Sequence, residues 1–271
     1  MLYKESPPSD RFAQLIKCFW SFEDDNAVTG IPEPIIPDGC VEIVFNLADR
    51  FRRHYISGKL ETQPKSIVVG QMKQAVLIEP LGKVQLFGIR FQSAGAFSYF
   101  RFDLDKLANR IEALDTVFGQ AVGEMEERIA SASDFDERIA VTESLLKRSS
   151  GRPFTADERL SVAIDEIRKG RGQKRIKLIA RDIGMSERNL ERLFSRQIGL
   201  SPKQFSRTVR FQNVLRTFKT SSDRAFADAA YDFGYFDQSH LINDFQCFSG
   251  KSPAAFLDQT HRFTEMFLTR S

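Results

Sequence analysis

Two stretches decide the fold: IARDIGMSERNLERLFSRQIGLSPKQF at residues 179–205 and AAYDFGYFDQSHLINDFQCFSGKSPAAF at residues 229–256. Both carry the same landmarks in the same order. A small residue (Ala180, Ala230), a glycine (Gly184, Gly234) and two apolar anchors (Leu190 and Phe194, Leu241 and Phe245) come first. A second glycine (Gly199, Gly250), Ser-Pro (Ser201-Pro202, Ser252-Pro253) and a phenylalanine (Phe205, Phe256) follow, about fifty residues apart between copies. A helix-turn-helix asks for that order, so the chain carries two such units in tandem.

In the first unit Ile176, Leu178, Ile179, Ala180 and Ile183 give the apolar face of a short helix, and Ala180 is small where a second helix must cross closely. Gly184 supplies the left-handed backbone of the turn. Ser186 is placed to cap the next helix, on which Leu190, Leu193 and Phe194 face inward at i, i+3 and i+4. Glu187, Arg188, Glu191, Arg192 and Arg196 are left outward. A major groove admits one helix; arginine bonds guanine O6 and N7 in a fork, and a carboxylate accepts from cytosine N4. Arg188, Glu191 and Arg192 are therefore the expected base readers of unit one. Taken alone, the same residues also describe a solvated helix face of Glu/Arg pairs.

The second unit has a helix around Ala225–Tyr231, a turn at Gly234 and one extra residue, which makes Asp237 the expected N-cap. Leu241, Phe245 and Phe248 face inward. Gln238, Ser239, Ile242 and Asn243 remain for a groove: Gln and Asn suit adenine, Ser suits any base and Ile suits a thymine methyl. Arg196, Lys203, Arg207, His240 and Lys251 are expected at phosphates. Between the units, residues 202–219 contain no breaker after Pro202, and Phe205, Val209, Leu215 and Phe218 keep a helical repeat. Such a helix of roughly 27 Å holds the two reading helices near the ~34 Å spacing of successive major-groove faces.

Charge divides the chain in the same sense. Before Gly151 there are 18 Lys+Arg against 22 Asp+Glu, and after it 21 against 14. The basic half is the one expected to meet nucleic acid. Within it, Arg152–Thr220 holds 17 basic against 7 acidic residues, and Ser221–Ser271 holds 4 against 7. Unit one is thus expected to supply most of the phosphate attraction, leaving neutral base contacts, orientation or a polymerase surface to unit two.

The N-terminal half reads differently. Val41–Phe45, Ser66–Gly70, Ala75–Ile78 and Val84–Phe91 are rich in β-branched and aromatic residues and are preceded by turn chemistry, which predicts a small antiparallel sheet or barrel. After Gln92 the period becomes helical, through Leu104, Leu107 and Ile111, then Val117 to Ile129, then Ile139 to Leu146. These helices pack on the barrel or on a second subunit. The flexible, helix-breaking run Ser149-Ser150-Gly151-Arg152-Pro153 marks the expected boundary between residues 1–150 and 153–260. The fold class is α+β, with a barrel-like N-terminal domain, helices after it, and an all-α C-terminal domain.

Ile179-Ala180, Gly184-Met185-Ser186, Leu190, Gly199-Leu200-Ser201-Pro202, Gly234-Tyr235, Asp237-Gln238-Ser239-His240 and Gly250-Lys251-Ser252-Pro253 together resemble the AraC-type family of bacterial transcription regulators. The resemblance covers roughly Pro153 to Leu257. It implies seven helices in two helix-turn-helix subdomains, promoter DNA as the target and RNA polymerase as a partner. The N-terminal half resembles the sensing or dimerisation domain of such proteins, with Pro37-Asp38-Gly39-Cys40 and Gly88-Ile89-Arg90-Phe91 as landmarks. A homodimer and a small-molecule effector inside the barrel are the corresponding expectations, with Tyr55, Phe87, Arg90 and Phe91 lining the effector site. The competing assignment for those four is core packing and a structural salt bridge.

Other function classes find little support. Cys18, Cys40 and Cys247 stand apart without a CxxC pair, and His54, His240 and His261 are scattered, so neither metal nor cofactor is expected. No secretory leader or membrane span is legible, and a cytoplasmic protein is the simple reading. A DNA-repair methyl acceptor would need an activated cysteine, for which Cys40 is the candidate. An N-terminal enzyme would be built from Asp38, Glu42 and Arg90, without a P-loop, nucleophile elbow or metal triad. The expectation is a regulator without enzymatic activity.

Overall fold

In a computed structural model the chain is described at residues 1–27, 29–119, 121–149, 157–220, 230–259, 261 and 263. All of the expected domain boundary at 149–153 except Ser149, and most of the helix expected at 225–231, lie outside these residues.

The N-terminal strands are β1 (Leu2–Ser6), β2 (Ile16–Asp24), β3 (Glu33–Ile35), β4 (Glu42–Asn46), β5 (Phe51–His54), β6 (Leu60–Thr62), β7 (Ser66–Val69), β8 (Val76–Pro80), β9 (Val84–Phe91) and β10 (Ile111–Ala113). They form two antiparallel sheets, β1-β2-β9-β4-β7-β10 and β3-β8-β5-β6, facing each other in place of one closed barrel. The four strand runs read from sequence are β4, β7, β8 and β9. Ile111 departs from its helical expectation: it pairs with Val69 in β10, because Leu104–Leu107 closes as a 3-10 turn and the chain returns to the sheet edge.

Strand alternation sorts β9 between two cores. Val84 and Leu86 point between the sheets with Trp20, Phe22 and Phe51, whereas Phe87, Ile89 and Phe91 point to the other face of the large sheet. That face is covered by α1 (Gly95–Phe100), α2 (Leu114–Phe118), α3 (Ala121–Ser131) and α4 (Phe135–Ser149), which contribute Phe100, Leu114, Val122, Ile129, Phe135 and Leu146. Gly88 has its place because the Trp20 indole lies across it: a Cβ there would stand 2.0 Å from Trp20 Cε2.

The C-terminal domain is helical: α5 (Glu158–Lys169), α6 (Ile176–Asp182), α7 (Glu187–Ile198), α8 (Pro202–Thr220), helical residues 230–232, α9 (Gln238–Ser249) and α10 (Pro253–Leu257). The 19 residues of α8 span about 28 Å and serve two cores. Phe205 packs with Leu190, Phe194 and Ile198 of the first unit; Phe211, Val214, Leu215 and Phe218 pack with Leu241, Phe245, Phe248 and Phe256 of the second.

The two domains are fastened where the sequence landmark Pro37-Asp38-Gly39-Cys40 turns toward β4. Gln212 of α8 donates to the Pro37 carbonyl at 2.5 Å, and the Phe205 ring lies against Gly39. Buried Ser93 accepts from Arg168 of α5 at 2.8 Å. α7 packs on α1 and on the 3-10 turn at Leu104–Leu107.

Candidate nucleic-acid interface

The same turn is built twice, bond for bond. Gly184 and Gly234 both have φ of +67°. The Gly184 N–H donates to Arg181 O at 3.0 Å and the Gly234 N–H to Tyr231 O at 3.1 Å; next, Met185 donates to Ala180 O at 2.8 Å and Tyr235 to Ala230 O at 2.9 Å. The following helix is capped in each unit: Ser186 Oγ accepts from the Asn189 N–H at 3.2 Å, and Asp237 Oδ1 from the His240 N–H at 2.7 Å. Ser201 and Ser252 cap the next helices through Gln204 and Ala255 at 3.1 and 3.3 Å. The sequence repeat is a repeat of hydrogen bonds.

On α7, Leu190, Phe194 and Ile198 are buried while Arg188, Glu191 and Arg192 are exposed and make no ion pair with another described residue. On α9, Leu241, Phe245 and Phe248 are buried, Gln238, Ser239 and Asn243 are exposed and Ile242 is half-buried. Both helices therefore present a polar, unengaged face at their N-terminal ends. Beside the second face stand two aromatics not singled out from sequence, Phe236 at 93% and Tyr231 at 86% exposure.

The five residues expected at phosphates are placed unequally. Lys203 is exposed, and His240 is exposed with its ring edge-on to Tyr235 at 5.2 Å. Lys251 is half-buried, its Nζ 2.5 Å from Gln259 Oε1. Arg207 is turned inward: its Nη2 lies 2.6 Å from Oδ1 of buried Asp244, and its guanidinium lies over the Phe248 ring. The hydrogen bond to Asp244 holds the guanidinium above its ordinary pKa. Asp244 is thus the buried half of a brace between α8 and α9.

Arg196 is held by the N-terminal domain. Its Nε donates to Asp103 Oδ1 at 2.8 Å and its guanidinium lies 5.3 Å from the Phe97 ring centre. An exposed pair of this kind is worth about 0.2–1 kcal/mol. Asp103→Ala is accordingly expected to free Arg196 and tighten DNA binding by up to about fivefold, an effect that the double variant Asp103→Ala/Arg196→Ala should lack in a fluorescence-anisotropy titration.

One side chain joins the two units. Arg210 of α8 donates to Gly172 O at 2.9 Å, ahead of α6, and to Gly234 O at 3.5 Å in the second turn, with its guanidinium 5.1 Å from the Tyr235 ring centre. Gln173 adds a bond to Asp232 O at 2.9 Å. Sequence gave no hint of this clamp, since both partners of Arg210 are main-chain carbonyls.

The N-terminal domain encloses a cavity of about 100 Å³ between its sheets, lined by Trp20, Val44, Phe51, Val76, Ile78 and Leu86 among others. None of the four expected ligand residues lines it. Phe87 and Phe91 face the helices by strand alternation, and Tyr55 sits at the far hairpin donating to Glu61 at 2.5 Å. Arg90 is buried in an ion cluster with Glu42 and Asp38. Burial opposes the Arg90 charge, but the two carboxylates outweigh it and hold the guanidinium above its usual value. Glu42 lines the cavity, and Asp38 belongs to the turn that docks α8. Cys40 is buried, and burial pushes its thiol up to about 11, the opposite of an activated nucleophile.

Among the described residues no helix is long and apolar enough to cross a membrane, and no group of three His, Cys, Asp or Glu is placed to hold a metal ion. Residues 4–112 match a family described as a domain of unknown function (DUF6597), and residues 179–259 match a helix-turn-helix domain. No curated protein matches the chain. Among solved structures, ToxT from Vibrio cholerae O395 is similar at 12% identity and a TM-score of 0.47, over 93% of this chain and 97% of that one. Wild-type ToxT from Vibrio cholerae strain SCE256, bound to an unsaturated fatty acid, is similar at 12% identity and 0.45, over 88% and 93%. The AraC-like transcriptional activator CuxR is similar at 12% identity and 0.26, over 74% and 73%. With the helix-turn-helix match lying on a capped turn that is built twice over, residues 179–259 are a helix-turn-helix domain of the AraC type.

Proposed function

We propose that the chain reads promoter DNA with α7 and α9 in successive major grooves, using Arg188, Glu191 and Arg192 on the first and Gln238, Ser239, Ile242 and Asn243 on the second. The observation that carries this reading is the twin turn, each copy followed by a capped helix with a polar, unengaged face. Lys203, His240 and Lys251 complete the phosphate contacts, joined by Arg196 once it leaves Asp103. RNA polymerase is the second macromolecular partner in this reading, met by unit two. Residues 1–150 sense or dimerise, and residues 153–260 bind DNA.

The effector in this reading is a small apolar molecule held between the sheets. What supports it is the apolar lining and the short path from Glu42 in the cavity wall, through Arg90 and Asp38, to the turn gripped by Gln212 of the linker helix. That path lets cavity occupancy bear on the helix that carries both readers.

In-vitro selection from random duplexes supplies the operator, and its binding is then measured across salt for Arg188→Ala, Arg192→Ala, Gln238→Ala and Asn243→Ala. The first pair is expected to cost more affinity, by about 1–3 kcal/mol per arginine, and to relax preference at the bases they read. The second pair is expected to relax base preference too, at a smaller cost in affinity. Larger affinity losses from the second pair would overturn this division of labour, and failure to select any sequence would overturn the reading itself.

A further inference from the structure

Beyond the second reader the chain runs back to the N-terminal domain. His261 is buried against Phe256 of α10, their rings stacked at 4.0 Å and its Nε2 2.9 Å from the Phe256 carbonyl oxygen. Two residues on, Phe263 enters the cavity between the sheets. Its ring is 3% exposed and stands edge-on to Phe22 at 5.4 Å and Phe51 at 5.7 Å. Its backbone nitrogen lies 3.5 Å from Glu33 Oε2 on β3. A residue of the DNA-reading half thus fills the interior of the other domain.

Size decides what this means. Pockets for drug-sized ligands measure roughly 300–1,000 Å³, and a dry apolar cavity of about 150 Å³ is known to take benzene. The roughly 100 Å³ left beside Phe263 falls short of one such ring. Withdrawing the phenyl group adds its own volume, and the enlarged space then accepts one. The wall is largely apolar, with Trp20, Val44, Val76, Ile78 and Leu86 against the few polar members Glu42, Asn46, Gln63 and Lys65, so most of that space suits an apolar ring. Emptying it without replacement would expose the same wall to water, so the plug leaves only when something apolar takes its place.

We infer that Phe263 is the chain's own occupant of the effector cavity and that a small apolar molecule of one-ring size binds by exchanging with it. This rests on the proposed reading of the cavity as the effector site. The exchange ties occupancy to the second reader, because Phe263 and the helix core residue Phe256 are joined by six residues of chain with buried His261 among them.

Trp20, the single tryptophan, lines the cavity and is 2% exposed, so its fluorescence reports entry. Iodobenzene, one ring bearing a heavy-atom quencher, is titrated into the full chain, with aqueous iodide as the control that stays outside. Half-quenching by iodobenzene is expected at a concentration at least tenfold lower in Phe263→Ala than in the native chain, with Phe263→Leu between them and iodide ineffective in all three. Equal quenching of native and Phe263→Ala chains overturns the plug and leaves the cavity as an effector site. Quenching of neither overturns both. Quenching of Phe263→Ala by iodide as strongly as by iodobenzene shows a cavity merely opened to solvent, and overturns the exchange. Saturating iodobenzene is also expected to change operator affinity of the native chain at least threefold and to leave Phe263→Ala flat; a flat response in both removes the link to the reader.

Discussion

Replacing Arg188 and Arg192 together by alanine is expected to cost the chain about thirtyfold or more in affinity for its selected operator, while thermal unfolding stays where it was. The two stand one turn apart on α7, both exposed and both without an ionic partner among the described residues. Each good arginine fork on a guanine edge is worth about 1–3 kcal/mol, and two such contacts on one helix face add to at least about 2 kcal/mol. Surface substitutions away from caps and cores move stability by only about 0.5 kcal/mol, so a loss of binding would report on DNA and not on folding. Arg192→Lys sharpens the result. It keeps the charge and loses the fork, so it should preserve the salt slope while blurring preference at one base position. Equal loss on operator and on random duplex for every one of these variants would reassign both arginines to phosphates.

Arg207→Ala is expected to destabilise the C-terminal domain by about 3 kcal/mol, read as an earlier denaturant midpoint. Removing one partner of a buried ion pair leaves the other charge uncompensated, at a cost of about 3–5 kcal/mol. The lower end applies because Arg207 keeps 32% of its side chain exposed while Asp244 keeps 7%. The double variant Arg207→Leu/Asp244→Leu should recover most of that loss, since an apolar pair of similar volume replaces a buried pair at little net cost. The double variant also separates two roles for Arg207. If the residue is a brace alone, stability and operator binding return together; a stable double variant that still binds weakly with a reduced salt slope would restore the phosphate contact expected from sequence.

These two cases show what a sequence discloses and what it withholds. The twin turns were legible because positive-φ backbone and N-caps admit few residue types: Gly184 and Gly234, Ser186 and Asp237 announce themselves one by one, and their recurrence removes accident. The side on which a strand residue faces was equally legible in β9, where Val84, Leu86, Gly88 and Arg90 alternate with Phe87, Ile89 and Phe91. Choosing candidates by aromatic character instead of by parity picked Phe87 and Phe91, which face the helices and not the cavity between the sheets. β2 left no such trace, since its side chains are buried or half-buried on both faces and show no alternation.

Charge was the least transparent property. Asp244 reads as one more acidic residue of a near-neutral unit, and only the fold reveals that it is buried beneath Arg207, 37 positions away. Arg196 likewise shows itself as a groove-side cation in sequence and as a partner of Asp103, 93 positions away, in the folded chain. Pro37-Asp38-Gly39-Cys40 was conspicuous from the start, but its partner Gln212 is an unremarkable polar residue within a long helix. Long-range pairing leaves no local mark on either participant.

The Arg210 clamp bears on DNA more than on the protein. A guanidinium bonded at once to Gly172 O and Gly234 O, with Gln173 closing onto Asp232 beside it, ties the segment ahead of the first unit to the turn of the second and so restrains the two proposed reading helices relative to each other. A pair of readers on a slack tether would tolerate half-sites at many spacings; in the proposed reading this pair works as calipers set to one opening and one phase. Moving the half-sites apart by about five base pairs, half of a roughly 10.5-base-pair turn, carries the second groove to the far side of the duplex. With both helices reading as proposed, a protein held by this clamp resists the twist needed to follow it, which leaves the DNA to bend or one reader to let go.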